Sequence, residues 1–134
     1  MITKYKLQTD VHGVHDITEE VKKAVAKTHV VSGLCCVYIP HTTAAVTVFS
    51  GDDPLGFQDI NDEIKKLVPV RTDFHHQCDG MTDAAGHIKS SLLGVSMTFI
   101  IDNGQLVLGR AQRIYFFEFD GPRDREFIVK VIEG

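Results

Sequence analysis

The sequence lacks any apolar run that approaches the ~20 residues a helix needs to cross a bilayer. Its first ten residues, MITKYKLQTD, also lack the apolar segment of a secretory signal peptide. We therefore expect no membrane partner and a cytoplasmic location.

Clusters of basic residues are missing as well. The chain has 14 Lys and Arg residues against 18 Asp and Glu residues, which gives a formal net charge of −4. This balance argues against nucleic acid or an anionic membrane as a partner. The same balance is compatible with a small anionic substrate, because a few local basic residues are enough to bind one.

Cysteine is scarce, and no disulfide framework or CxxC site is present among the three cysteines. Cys35 and Cys36 are adjacent and point to opposite faces of a predicted strand, while Cys78 lies in a polar loop. Reduced thiols in a cytosolic compartment fit this pattern. Walker A and Rossmann glycine patterns are also absent, which disfavours ATP- and NAD-dependent enzymes of those folds.

The 134 residues, 43% of them hydrophobic, predict one globular domain over 1–134. Residues 34–39 are apolar on both parities and predict a strand buried on both faces, and Asn103-Gly104 predicts a hairpin. Helices are expected to begin with Asp16 as a cap, at Asp52–Pro54, and at Asp83. Further strands are predicted at 2–9, 45–49, 95–101, 106–108, 112–119 and 126–132. The fold class is α+β: a single compact domain with a mixed, mostly antiparallel sheet and helices packed on one face.

The segment from Asp83 to Gly94 places an acid, an imidazole, an ammonium and two hydroxyls on one short helix. With Asp83 as the N-cap, His87 falls one turn in, and Ser90 and Ser91 follow on the same side as the imidazole. Gly94 supplies the helix stop. We interpret this face as a chemical one; the alternative is a capped surface helix whose polar residues are only solvated.

The tetrapeptide Pro40-His41-Thr42-Thr43 lies between two predicted strands, at a corner of the kind that often carries functional side chains. His41 is flanked by hydroxyls there, as His87 is on its helix. The two histidines are therefore expected to converge on one pocket.

Five segments occur in an order that resembles the YjbQ family, often called secondary thiamine-phosphate synthase. They are PHTTAAVTV, the DPxxxxD pattern of Asp53 to Asp59, DxxxHIKSSLLG, the Gly-x-Leu-x-Leu-Gly run at 104–109 followed by Gln112, and Glu118-Phe-Asp-Gly-Pro-Arg123. Several separate motifs in register are hard to obtain by chance.

The resemblance implies a compact α+β fold that assembles as a homotrimer, with a pocket near the subunit contacts. It also implies a weak thiamine-phosphate synthase activity, which joins a pyrimidine pyrophosphate to a thiazole phosphate and releases pyrophosphate. The polar residues that match the family are His41, Thr42, Asp59, Asp83, His87 and Ser90, with His75 or His76 as a loop histidine.

One segment departs from the family. Where relatives commonly have Gly-Thr-Trp-Gln, this chain has Gly109-Arg110-Ala111-Gln112, and it contains no tryptophan. Loss of a large aromatic side chain removes area that stacks on a heteroaromatic ring. Arg110 is expected to shift the preference toward an anion.

The residue types allow a metal site and an anion site. A divalent metal, Mg or Zn, is expected on His41, His76, His87 and Asp59, with His75 and Asp83 as alternative ligands; the competing interpretation is that each histidine hydrogen-bonds locally. For the anion, the predicted ligands are Thr42, Lys89 and Arg123, with Arg110 and Arg125 as alternatives. These basic residues otherwise belong to a solvated surface or to subunit salt bridges.

Three functions follow from these sites, and all take a small phosphorylated metabolite or an ion as the ligand. The first is a thiamine-phosphate synthase-type transferase with the predicted catalytic residues His41, Asp83, His87 and Ser90. The second is metal-assisted hydrolysis of a phosphorylated metabolite. The third is a non-catalytic trimeric module that binds a metal or an anion.

Overall fold

The computed structural model describes residues 1–10, 13–53, 55–71, 74–75 and 80–134. Within these ranges the chain forms three helices and eight strands. The helices are α1 (Thr18–Thr28), α2 (Gly56–Leu67) and α3 (Met81–Leu93). The strands are β1 (Ile2–Gln8), β2 (Val14–Asp16), β3 (Gly33–Tyr38), β4 (Ala44–Ser50), β5 (Ser96–Asp102), β6 (Gln105–Leu106), β7 (Gln112–Glu118) and β8 (Asp124–Glu133).

The strands of the described ranges form two sheets, and every pairing in them is antiparallel. The larger sheet has the order β1-β8-β3-β5-β6, and the smaller one has the order β2-β7-β4. The predicted α+β class is confirmed, with two antiparallel sheets where the sequence pointed to a mixed one. β1 lies at a sheet edge, as its half-solvated alternation predicts.

The main core lies between the two sheets. Alternate residues of β3, β5 and β8 face those of β4 and β7 there, and Val21, Ala24 and Val25 of α1 close it. The opposite face of β7 presents Tyr115 and Phe117 to α2 and α3, which pack on the small sheet. Both faces of β7 carry apolar side chains, and helices therefore pack on both. α1 closes the core between the sheets, and α2 and α3 cover the other face of the small sheet.

The outer face of the large sheet is open in the single chain. Leu34 is paired with Ile100 on one side and with Ile132 on the other, and these three side chains are 46%, 59% and 54% exposed. The prediction that β3 is buried on both faces is therefore wrong for the isolated chain. Residues 34–39 carry apolar side chains on a face that no described element covers.

Helix starts differ from the expected caps. Asp16 is one residue before the N-cap Ile17 of α1, and its carboxylate accepts hydrogen bonds from the backbone and hydroxyl of Thr18. At α3 the N-cap is Gly80, with φ of 99°, so Asp83 lies inside the first turn and is not the cap. Gly94 ends α3 as predicted. No helix of the described ranges is long and apolar enough to span a membrane.

Candidate functional site

A cavity of about 550 Å³ opens between α3 and the 39–43 connection from β3 to β4. His41 and His87 both line it, so the expected convergence of the two histidines is observed. Thr42 and Ser90 line the same cavity, as does Ser91. The remaining wall residues are Tyr38, Ile39, Gly94 and Val95.

His87 is held between two hydrogen-bond acceptors. Its Nε2 lies 2.9 Å from Oδ2 of Asp83, one turn earlier on α3, and its Nδ1 lies 3.2 Å from the backbone oxygen of Thr42. A carbonyl oxygen only accepts, so Nδ1 donates. The bond to Asp83 then needs a second proton, either on Nε2 or on the carboxyl group. The two groups therefore share a proton along the Nε2–Oδ2 contact, beside a cavity that leaves the His87 side chain 36% exposed.

Asp83 connects His87 to the turn that follows β7. Its Oδ1 lies 3.9 Å from Nη2 of Arg123, and that nitrogen donates to Oδ2 of Asp120 at 2.7 Å. Burial raises the pKa of Asp120, and a hydrogen bond with the Asp83 carboxyl adds to the rise, whereas Arg123 opposes it. The two neighbouring carboxyls therefore favour retention of a proton between them. Asp120 was not among the predicted site residues.

His41 is held by a hydrogen bond from the backbone of β8. Its Nε2 accepts the backbone N–H of Glu126 at 3.0 Å, so the neutral ring carries its proton on Nδ1. Burial lowers the pKa of His41, and the nearby Arg125 guanidinium lowers it further, while the carboxylates of Glu126 and Glu118 oppose the shift. His41 is consequently a neutral imidazole with a defined tautomer near pH 7.

A buried ion pair supports both halves of the site. Arg125 donates from Nε to Glu118 at 2.7 Å and from Nη2 to the Thr43 hydroxyl at 2.7 Å. Glu118 also accepts from the Thr9 hydroxyl and from the backbone N–H of Asp120. Burial raises the pKa of Glu118, but these hydrogen bonds outweigh it and hold the pKa below its usual value. Sequence reasoning gave Glu118 no role, since nothing local marks it as paired.

Two of the predicted site residues, Ser90 and Lys89, contact other parts of the protein. Ser90 lines the cavity, but its hydroxyl donates to the backbone oxygen of Ala44 at 2.6 Å, which ties α3 to β4. Lys89 does not line the cavity. It is 2% exposed, and its Nζ lies 5.7 Å from the centre of the Phe119 ring.

The expected metal ligands do not come together in the described ranges. Asp59 lies on α2 and does not line the cavity, and His76 falls outside the described residues. Among the described residues, no group of three or more His, Cys, Asp or Glu side chains is placed to hold a metal ion. Nε2 of His41 and both nitrogens of His87 already have partners, so this donor set does not fit a metal. A metal on His76 stays a prediction.

Comparison with known proteins gives consistent matches over the whole chain. The family model described as UPF0047 protein YjbQ-like matches residues 3–134. UPF0047 protein MJ1081 of Methanocaldococcus jannaschii is 43% identical over 98% of this chain and 94% of its own. UPF0047 protein YugU of Bacillus subtilis is 39% identical over 87% of each chain.

Solved structures of similar proteins also match this chain over nearly its whole length. An uncharacterized conserved protein of the yjbq/upf0047 family from Clostridium acetobutylicum is 43% identical, with a TM-score of 0.89 over 97% of this chain and 99% of that one. A YbjQ-like protein of unknown function from Sulfolobus solfataricus P2 is 27% identical, with a TM-score of 0.93 over 100% of this chain and 97% of that one.

Fold and site together define an α+β protein with a cavity at the edge of a small antiparallel sheet, lined by two histidines, one of which binds a buried carboxylate. The chain belongs to the YjbQ/UPF0047 family, as its motifs predict.

Lys89 provides a test of the packing around α3. Lys89 is 2% exposed, and burial disfavours its charged form at a cost on the order of 1 kcal/mol, which lowers its pKa. We expect Lys89→Met to raise the free energy of unfolding by about that amount at pH 7, measured by urea denaturation.

The pH dependence has a defined sign. Burial, with Lys65 as a second cause, lowers the pKa of Lys89 from its ordinary value of 10.5. The unfolded chain therefore keeps this proton to higher pH than the folded chain, and the burial penalty fades as pH rises toward 10.5. The gain in Lys89→Met should shrink over the same range, and the exposed control Lys23→Met should show neither effect. A variant less stable than the wild type at pH 7 would show that Lys89 is favourably paired.

Proposed function

We propose that the protein is a cytoplasmic enzyme that acts on a small phosphorylated metabolite, with the thiamine-phosphate synthase-type transfer as its reaction. The observation that supports this most is the pairing of His87 with Asp83 at the wall of a cavity that His41 also lines. A histidine with one nitrogen on a buried carboxylate and the ring partly exposed is arranged for proton transfer.

The transfer needs charge stabilisation at the leaving group. The bond between the pyrimidine methylene carbon and the pyrophosphate oxygen breaks, pyrophosphate takes the electron pair, and the thiazole nitrogen forms the new bond to that carbon. In our proposal a pyrophosphate oxygen displaces Oδ2 of Asp83 from Nε2 of His87 and takes the proton that the two groups share, and Asp83 with Asp120 holds that proton beforehand. Arg123 supplies positive charge at the same edge.

His41 has a different role in this proposal. Because its Nε2 accepts the Glu126 amide, its Nδ1–H is the donor that remains for a phosphate oxygen. A neutral donor suits an orienting contact rather than proton release. The backbone of Thr42 meanwhile keeps His87 in position.

The direct test is an activity assay on purified protein. A pyrimidine pyrophosphate and a thiazole phosphate are supplied with Mg²⁺, and the joined product is measured by chromatography. We expect product with the wild type and a rate lower by about 10² or more with His87→Ala, since general acid catalysis contributes 10²–10⁴. His29→Asn is the matched control, because His29 lies at the end of α1 with φ of 57°, which Asn tolerates.

Other outcomes of the same assay separate the alternatives. Release of inorganic phosphate from single phosphorylated metabolites, abolished by a chelator, would replace our proposal with metal-assisted hydrolysis. Binding of either substrate without turnover would replace it with a non-catalytic module. Equal rates for His87→Ala and the control would remove His87 from the mechanism.

We also propose that three copies associate. The exposed row of Leu34, Ile100 and Ile132 is an apolar surface of the kind that symmetric association covers.

Light scattering should give three times the 14.9 kDa of one chain. Leu34→Lys places a charge in the row and should lower the mass, whereas Val31→Lys, 64% exposed outside the row, should not. A wild-type monomer at micromolar concentration would contradict the assembly without bearing on the reaction.

A further inference from the structure

A second cavity lies away from the histidine site. It has a volume of about 500 Å³, within the range of small-molecule pockets, and it opens between α1 and the chain from β6 to β7. None of its lining residues lines the cavity of His41 and His87. Its wall includes Lys22, Ala26, Leu106, Arg110, Gln112 and Arg113.

The charged side chains of this wall all have the same sign. Lys22, Arg110 and Arg113 line the cavity, and no acidic residue of the described ranges does. Each of these cations also has an acidic partner outside the cavity lining, and for Lys22 that partner is Glu19, whose Oε1 lies 3.9 Å from Nζ. An anionic ligand is therefore favoured by the directed N–H donors of this wall and not by uncompensated charge.

Arg113 is held from outside the cavity. Its Nε donates to Asp16 at 2.8 Å and its Nη1 donates to Glu19 at 3.4 Å. No described residue accepts a hydrogen bond from its Nη2. The two acids raise the pKa of Arg113 and keep the guanidinium charged in a fixed orientation. Because its orientation is already fixed, this guanidinium loses little conformational entropy when it binds an oxyanion.

Arg110 is paired more loosely. Its two terminal nitrogens donate to the Asp52 carboxylate at 2.9 and 2.8 Å, with the Arg110 side chain 82% exposed. An exposed pair of this kind contributes about 0–1 kcal/mol. A carboxylate or phosphate group of a ligand replaces Asp52 at little cost, with the same two-point geometry.

The turn that carries Arg110 is closed by two hydrogen bonds. The backbone N–H of Gly109 donates to Oε1 of Gln112 at 2.8 Å, and the Gln112 N–H donates to the Gly109 oxygen at 3.1 Å. This orients the Gln112 amide nitrogen as a further donor. Leu106 and Leu108 pack against the main core and provide an apolar wall.

We infer that this cavity binds a small organic oxyanion with an apolar body, such as a phosphate ester of an aromatic alcohol. The cations and the Gln112 amide bind the oxyanion, and Leu106, Leu108 and Ala26 contact the apolar part. The site is separate from the proposed catalytic cavity and does not depend on the activity proposed there.

Phenyl phosphate is the probe, and ¹H–¹⁵N NMR of the intact chain is the readout. We expect saturable shifts in the amides of 22–26 and 104–113, with weaker binding for inorganic phosphate and for phenol, because each lacks half of the ligand. Arg110→Gln and Lys22→Gln should each weaken binding by about threefold to tenfold. Lys66→Gln, which removes an exposed cation of α2, is the matched control.

Three results would overturn the inference. They are shifts confined to the cavity of His41 and His87, equal affinity for Arg110→Gln and Lys66→Gln, and phenol binding as tightly as phenyl phosphate. Absence of saturable shifts up to about 10 mM would overturn it too, because that concentration exceeds the millimolar range of weak specific sites.

Discussion

Glu118 and Arg125 form an ion pair that is almost completely removed from water, with exposures of 1% and 7%. Desolvation of two charges is costly, and only good geometry with further hydrogen bonds compensates for it. Here the compensation comes from Thr9, Thr43 and the Asp120 amide. Loss of either charge would leave the other buried and unpaired, at a cost of about 3–5 kcal/mol.

The same contacts position the site. Thr43 belongs to the corner that carries His41, and Asp120 belongs to the turn that reaches Asp83. Arg125 also precedes the residue whose amide holds His41. The pair thus joins the corner that carries His41 to the segment 118–126, which reaches Asp83 and His87 on α3 through Asp120.

Sequence reasoning predicted what depends on local periodicity. The i,i+4 spacing of Asp83 and His87 on α3 and the corner at His41 were visible in the chain, and so was the α+β class. Lys89 was predicted to belong to the same site. Each residue of an α-helix is rotated by about 100° from the one before, so Lys89 lies about 200° around α3 from His87, on the buried side. Glu118 and Asp120 were missed although Arg125 and Arg123 are near them in sequence. Their other partners, Thr9 and Asp83, come from distant segments, which single-sequence patterns do not report.

The buried pair holds the backbone that fixes the tautomer of His41, because Arg125 precedes Glu126 and also binds Thr43. ¹⁵N NMR of the imidazole nitrogens reports which nitrogen of each ring carries a proton. At neutral pH we expect a neutral His41 protonated on Nδ1 in the wild type, and a mixture of tautomers in Glu118→Gln with the fold retained. A His41 protonated on Nε2 in the wild type, or an unchanged spectrum in a folded Glu118→Gln, would contradict it.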